Sequence, residues 1–252
     1  MEYAVVTGIS RGLGESIAKY LLESGIDVIG ISRSSSTKLK EYAAANNVTF
    51  THYPCDLSDV AAINDTFQLI STEIFTGNLT GLYLVNNAAV LDPIDPSMNI
   101  DSNDLAYHMQ VNIVAPMALT NLFLKAAIEK EVSMIGVTVS SGAAENPTYG
   151  WSAYCSSKAS MNMYTETVAL EQDELKTGNK VIAFSPGIMD TDMQEKIRST
   201  SQGSFKDVET FIDFKKNNAL KDTDTVAGIL VDILTDKGSI ENGKIYNVKD
   251  YF

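Results

Sequence analysis

Short apolar, β-branched runs alternate along the chain with longer segments of helical period. Seven of these runs are predicted to be strands, at residues 3–7, 26–31, 48–53, 82–85, 134–139, 181–184 and 244–248. The clearest helical pattern lies between the third and fourth runs, where Val60, Ile63, Phe67, Ile70 and Ile74 recur on one face. Such alternation is typical of parallel strands joined by crossover helices. The pattern therefore predicts a single α/β domain, with a doubly wound seven-stranded parallel sheet and helices on both faces.

The segment from about residue 190 to 218 departs from this alternation. It is polar, follows no strand, and carries the scattered large apolar residues Met193, Phe205, Phe211 and Phe214. Long insertions of this kind commonly cover a site. We therefore expect a substrate lid here, within one domain that spans residues 1–252.

Composition and charge exclude several classes of partner. With 252 residues, 44% of them apolar, the chain can bury a large core. No run approaches about 20 uninterrupted apolar residues, and the first residues do not resemble a signal segment, so we expect a cytoplasmic protein with no membrane partner. The net charge of −13 opposes binding to nucleic acid. Two cysteines, and histidines without further ligands at metal-site spacing, predict no disulfide framework and no metal.

A glycine-rich turn separates the first predicted strand from the first predicted helix. It reads Thr7-Gly8-Ile9-Ser10-Arg11-Gly12-Leu13-Gly14. In this position glycines let the backbone approach a pyrophosphate, and the helix N-terminal amides point at it. The spacing is Gly-x3-Gly-x-Gly, and an ordinary tight turn is the alternative interpretation. We predict a dinucleotide site that includes Gly8, Ser10, Arg11, Gly12, Leu13 and Gly14.

The end of the second predicted strand indicates which dinucleotide binds. It reads Gly30-Ile31-Ser32-Arg33-Ser34 and holds no carboxylate. An acidic residue at this point binds the ribose 2′-hydroxyl of NAD, whereas arginine accommodates the 2′-phosphate of NADP. Arg33, with Arg11 nearby in the turn, therefore favours NADPH. Two solvated surface arginines are the alternative.

Four polar residues are candidates for the chemistry. Tyr154 and Lys158 lie four apart on a predicted helix and so share one face, where the ammonium lowers the pKa of the phenol. Ser141 ends a predicted parallel strand, where open α/β sheets form their ligand crevice, although serine also simply ends strands. Asn112 lies in an apolar helical segment, so its amide needs partners, either backbone groups or a water chain to the lysine.

Together with Asn86-Asn87-Ala88 and Pro186-Gly187, these motifs follow the order and spacing of the short-chain dehydrogenase/reductase family, which the sequence resembles over essentially its whole length. The resemblance implies a Rossmann fold and hydride transfer from a nicotinamide cofactor. It implies that Tyr154 is the general acid/base and that Lys158 lowers its pKa and binds the nicotinamide ribose. Ser141 would orient the carbonyl and Asn112 would support a proton relay. The further cofactor contacts it implies are Asp56, Leu57, Asn87, Ala88, Pro186, Gly187, Ile188 and Thr191, and the chain departs from the family pattern at Ala89, which usually is Gly.

A finer resemblance concerns the substrate. Residues 150–155 and 186–194 look like the sepiapterin reductase branch, which also contains bacterial benzil reductases. A carboxylate near the C-terminus anchors the pterin in sepiapterin reductases, but Asn247 stands at that position here, with Asp250 close by. A neutral amide favours an apolar dicarbonyl or aromatic ketone, reduced by NADPH, and the expected substrate contacts are Ser141, Tyr149, Trp151 and Met193.

Three alternatives stay open from the sequence. They are reduction of sepiapterin, oxidation of an alcohol with NADP, and NADPH binding by a sensor without chemistry. Trp151 and Tyr149 either line the pocket or pack the loop. The resemblance also implies a homodimer or homotetramer.

Overall fold

Seven parallel strands form one sheet in the computed structural model, which describes residues 1–252. The strands are β1 Glu2–Thr7, β2 Asp27–Ser32, β3 Phe50–Pro54, β4 Gly81–Asn86, β5 Met134–Val139, β6 Lys180–Ser185 and β7 Ile245–Asn247. Their order in the sheet is β3-β2-β1-β4-β5-β6-β7, which confirms the predicted α/β fold. Because the order of strands along the chain changes direction between β1 and β4, the carboxyl ends of these two strands open a crevice at this switch point.

Helices cover both faces of the sheet. They are α1 Gly12–Glu23, α2 Thr37–Ala45, α3 Val60–Ile74, α4 Ser102–Met109, α5 Ala115–Glu129, α6 Ser152–Glu174, α7 Asp192–Ser199, α8 Val208–Lys216 and α9 Thr223–Thr235. On one face α1 packs between α2 and α9, and on the other face α3 packs against α5. Each face has its own apolar core, of 28 and 20 buried residues respectively.

The apolar helical segment that carries Asn112 is not one regular α-helix. A π-helical turn, Gln110–Val114, separates α4 from α5. Pro116 lacks an N–H and cannot donate to the carbonyl of Asn112, its partner in regular α-helical geometry. The widened turn accommodates this missing bond, and such turns occur frequently at functional sites.

The segment Ser102–Glu129 is also the most apolar long helical stretch of the chain. Its best window has a mean hydropathy of 1.5, enough by length and composition to cross a membrane. Half of that window is buried inside the fold, where α5 contacts β4 and β5. Core helices of this kind meet the same criterion, so the value alone does not indicate a membrane span.

The segment predicted to be a lid forms α7 and α8, which pack against each other. It is docked on the loop before α6, because a Cβ on Gly150 would lie 2.1 Å from the Ser204 carbonyl oxygen. Lys196 of α7 also pairs with Asp92, which follows β4. The segment therefore contacts both loops that border the crevice, and its role as a substrate lid stays a prediction.

Candidate active site

One large cleft of about 1490 Å³ opens at the carboxyl ends of the strands. The sequence-predicted residues line it with three exceptions, Gly14, Asn112 and Tyr149. Gly14 and Asn112 are buried behind its wall, and Tyr149 lies outside it with 48% of its surface exposed. The fold therefore gathers the glycine turn, the second-strand arginine and the Tyr-Lys pair along one cavity.

The glycine turn is tightly packed on the side that faces the fold and open on the side that faces the cleft. A Cβ on Gly14 would lie 2.3 Å from the Gly8 carbonyl oxygen and 2.4 Å from Asn87 Nδ2, so only glycine fits there. A Cβ on Gly12, by contrast, would meet only Thr191 across the cleft, at 3.8 Å. The first N–H groups of α1 receive no side-chain cap from Arg11. This arrangement fits a pyrophosphate, because anions bind to uncapped helix N-termini.

Asn87 ties the end of β4 to the glycine turn. Its side chain donates to the Thr7 carbonyl at 3.0 Å, and its backbone N–H donates to Thr7 Oγ1 at 3.0 Å. The N–H of Ala88 donates to the same hydroxyl, also at 3.0 Å. Asn87 thus shapes the wall of the cleft on which an adenosine ribose is expected.

The two arginines of the cleft differ in their partners. Arg11 Nη1 lies 2.7 Å from a carboxylate oxygen of Asp192 on α7, in a pair that is largely exposed. Arg33 forms no ion pair within 4 Å. The pKa of the neighbouring Asp56 is lowered, first by hydrogen bonds from Ser58 and further by the charge of Arg33. Arg33 is therefore a cation without an ion pair at the β2 end of the cleft, where the adenosine of a dinucleotide is expected.

Tyr154 and Lys158 share one face of α6, as predicted, and the effect of the ammonium on the pKa of the phenol stays a prediction. Burial raises the pKa of Tyr154 to about 12, opposed by the neighbouring Ser141 hydroxyl. Lys158 Nζ donates to the Val139 carbonyl at 2.8 Å and lies 5.7 Å from the centroid of the Tyr154 ring. Burial lowers the pKa of Lys158 to about 8. The phenol is therefore fully protonated at neutral pH, in the form that donates a proton.

Of the other two candidate catalytic residues, Ser141 lies in the cleft and Asn112 is buried behind it. Ser141 lines the cleft, where its Oγ accepts a hydrogen bond from the Ala143 N–H at 3.2 Å and its own hydrogen stays available. Asn112 is 3% exposed, and its amide forms two 2.8 Å hydrogen bonds with the backbone of Val90. Of the two alternatives for Asn112, its side chain thus bonds backbone groups, and its part in a proton relay stays a prediction.

An aromatic wall borders the chemical end of the cleft. Trp151 contacts the Tyr154 ring edge-on at 5.4 Å between centroids and stacks on Phe205 at 4.7 Å. Phe211 meets Trp151 at 5.6 Å and continues to Phe214 at the same spacing. Trp151 therefore lines the pocket. In the sequence Phe211 and Phe214 are only scattered apolar residues, and the fold places both in the lining of the cleft.

The chain belongs to the short-chain dehydrogenase/reductase family. A family model described as "short chain dehydrogenase" matches residues 2–202. These are oxidoreductases that use a nicotinamide cofactor, and the uncapped turn and long cleft fit that group.

Similar proteins include benzil reductases and sepiapterin reductases, the branch of this family that the sequence predicts. Benzil reductase ((S)-benzoin forming) of Bacillus subtilis is 36% identical over 251 residues, which cover both chains completely. Sepiapterin reductase of Mus musculus is 30% identical, covering 95% of this chain and 93% of the mouse protein. A solved short chain dehydrogenase/reductase of Saccharomyces cerevisiae superposes with a TM-score of 0.83 at 28% identity, covering 98% of this chain and 96% of its own. These relatives support a carbonyl reductase.

Proposed function

We propose that the protein is an NADPH-dependent reductase of aromatic ketones and 1,2-diketones, which reduces benzil to (S)-benzoin. The observation that carries this proposal is the aromatic wall of the cleft formed by Trp151, Phe211 and Phe214, which begins at the ring of the proton donor and is backed by the buried Phe205. A phenyl ketone is uncharged and presents flat apolar rings, which aromatic side chains bind by stacked and edge-on contacts. The benzil reductase relative supports the same substrate class.

The residues of the site perform the proton half of the reaction. When bound, the reduced nicotinamide supplies the hydride that reaches the carbonyl carbon. Tyr154 donates its proton to the oxygen as negative charge develops there, and the Ser141 hydroxyl hydrogen-bonds the same oxygen. With a pKa of about 8, Lys158 keeps most of its positive charge at neutral pH and stabilises the phenolate that remains on Tyr154.

The preference for NADPH rests on the cation at the adenosine end. Arg33 is free of ion pairs, and the end of β2 holds no carboxylate that would bind a ribose 2′-hydroxyl and repel a 2′-phosphate. A guanidinium binds phosphate oxygens through two parallel N–H groups. This makes Arg33 the principal selectivity residue and Arg11 a secondary one.

The C-terminal residues argue against a pterin substrate. Asn247 lines the cleft, but its side-chain oxygen already accepts a hydrogen bond from the Lys249 N–H at 3.0 Å. Asp250 is exposed and does not line the cleft. No carboxylate at this end of the chain therefore faces the cavity to anchor the guanidine-like edge of a pterin.

The test is a comparison of NADPH oxidation with benzil, other aromatic 1,2-diketones, aliphatic ketones and sepiapterin, with the benzoin product resolved by chiral chromatography. We expect turnover of benzil with a far higher kcat/KM than sepiapterin, and (S)-benzoin as the product. Preferred turnover of sepiapterin would overturn the substrate assignment. Tight NADPH binding without oxidation by any carbonyl compound would instead favour the sensor.

Two further expectations accompany this proposal. The family resemblance implies a homodimer or homotetramer, which light scattering distinguishes from a monomer. We also propose a cytoplasmic location, which cell fractionation tests.

A further inference from the structure

His108 is a fully buried histidine beside the reacting tyrosine, and the reaction described above does not use it. It occupies the last turn of α4, one turn before Asn112, and none of its surface is exposed. Its ring stands edge-on to Tyr154, with 6.3 Å between the centroids. A buried imidazole in such a place needs a hydrogen-bond partner for each of its nitrogen atoms.

The orientation of the Asn112 amide determines what His108 must do. Asn112 Oδ1 accepts from the Val90 N–H at 2.8 Å, and Asn112 Nδ2 donates to the Val90 carbonyl at 2.8 Å. These two bonds exclude the flipped amide, because flipping would place two donors and two acceptors face to face. The second hydrogen of Nδ2 is therefore directed at His108 Nε2, 3.0 Å away.

The opposite side of the ring fixes the tautomer. His108 Nδ1 lies 2.6 Å from the Asp92 carbonyl oxygen, which only accepts hydrogen bonds. The ring must therefore carry a proton on Nδ1 and a lone pair on Nε2, and it is a neutral imidazole. Burial lowers the pKa of His108, and the nearby charge of Lys158 lowers it further, against the opposing effects of the Asp92 carbonyl and carboxylate and the Ala153 carbonyl.

The same nitrogen also reaches the helix that carries the Tyr-Lys pair. Ser157 Oγ lies 3.1 Å from His108 Nε2 and 2.8 Å from the Tyr154 carbonyl oxygen. Ser157 is fully buried, and with a lone pair on His108 Nε2 these two acceptors compete for its single hydroxyl hydrogen. His108 thus connects the π-helical turn with the first turns of α6.

We propose that His108 is a positioning residue for proton transfer: its neutral ring holds Asn112 and, through Ser157, the turn of α6 that aims the Tyr154 hydroxyl at the substrate carbonyl. The charged and titratable groups that face it are Lys158 and Tyr154 of α6 and Asp92 of the loop after β4. A proton on Nε2 would oppose the Asn112 N–H, donor against donor. Positioning therefore fails when His108 is protonated.

Two substitutions separate positioning from packing. His108→Phe keeps a ring of similar size but removes all three hydrogen bonds of the imidazole, whereas His108→Gln keeps an acceptor for Asn112. Because a displacement of about 1 Å costs about 100-fold in rate, we expect kcat for benzil to fall by about 10- to 100-fold in His108→Phe. The NADPH dissociation constant and KM should change little, and His108→Gln should restore most of kcat.

The pH dependence of kcat is a second measurement, which would not change if His108 only filled space in the core. Wild-type kcat should fall at acidic pH as His108 is protonated, and this acid limb should be absent from His108→Gln. Equal kcat per NADPH-binding site in the wild type and His108→Phe, or the same acid limb in His108→Gln, would overturn the proposal.

The kinetic tests rest on the proposed reductase function, so a spectroscopic test stands beside them. The chain has two histidines, and a His52→Gln variant assigns their side-chain ¹⁵N signals. We expect the NADPH-bound wild type to show His108 as the neutral Nδ1–H tautomer at pH 7. An Nε2–H tautomer or a charged ring would contradict the inference even if benzil is reduced, and the expected tautomer without benzil turnover would contradict only the proposed function.

Discussion

Replacement of Arg33 by glutamine should weaken NADPH binding without affecting NADH. Arg33 has no partner in the cleft, so it loses no ion pair when it binds a 2′-phosphate. Hydrogen bonds to charged groups contribute about 1.5–3 kcal/mol, and the exposure of Arg33 at the rim of the cleft places it at the lower end of this range. At about 1.4 kcal/mol per factor of ten, NADPH affinity should fall by roughly tenfold or slightly more.

Arg11 provides the matched comparison. Its guanidinium must leave Asp192, 2.7 Å away, before it binds phosphate, and an exposed pair of this kind is worth about 0–1 kcal/mol. Arg11→Gln should therefore cost less than Arg33→Gln, and Asp192→Asn should tighten NADPH binding by up to about fivefold. Fluorescence titration with NADPH and NADH measures all four proteins. Unchanged NADPH affinity in Arg33→Gln, or an equal loss for both nucleotides, would refute the assignment.

Three further predictions concern the predicted lid, helix α9 and the pH dependence of stability. Gly150→Ala should raise KM for benzil at unchanged NADPH affinity, because φ of Gly150 is +87° and the added Cβ would lie 2.1 Å from the Ser204 carbonyl oxygen. Steady-state kinetics measure this change. The control is Gly203→Ala, where the nearest atom to the added Cβ would lie 3.7 Å away. Gly228→Ala should raise the free energy of unfolding in urea by about 0.5–1 kcal/mol, since nothing lies within 4 Å of the new methyl group inside α9. Burial lowers the pKa of His108, so below about pH 6.5 the unfolded chain binds a proton that the folded chain does not. The free energy of unfolding should therefore decrease as the pH falls from 7.5 to 5.5, and His108→Gln should reduce this decrease.

Much of the fold could be predicted because local pattern and burial agree. The 3.6-residue apolar spacing predicts α3 over the observed bounds, Val60–Ile74, and β5 matches the predicted residues 134–139. The apolar spacing does not reveal the interruption between α4 and α5, although Pro116, four residues after Asn112, is a sequence signal for it. Hydrophobic periodicity alone does not distinguish a π-helical turn from a regular one.

The candidate site was predictable where motif spacing fixes geometry and unpredictable where packing decides. The four-residue spacing placed Tyr154 and Lys158 on one face, but the bond from Lys158 to the Val139 carbonyl depends on the distance between α6 and β5. His108 gave no functional signal in the sequence, because its role depends on Asn112 and Asp92, which reach it only in the folded chain.

The proton transfer from Tyr154 is the central claim, and single-turnover kinetics test it most directly. Preformed NADPH complexes of the wild type and Tyr154→Phe would be mixed with benzil in a stopped-flow instrument, and nucleotide oxidation followed. General acid catalysis contributes about 10²- to 10⁴-fold, so the variant should bind NADPH normally and oxidise it slower by at least the lower figure. Oxidation of NADPH by Tyr154→Phe at the wild-type rate would contradict this account.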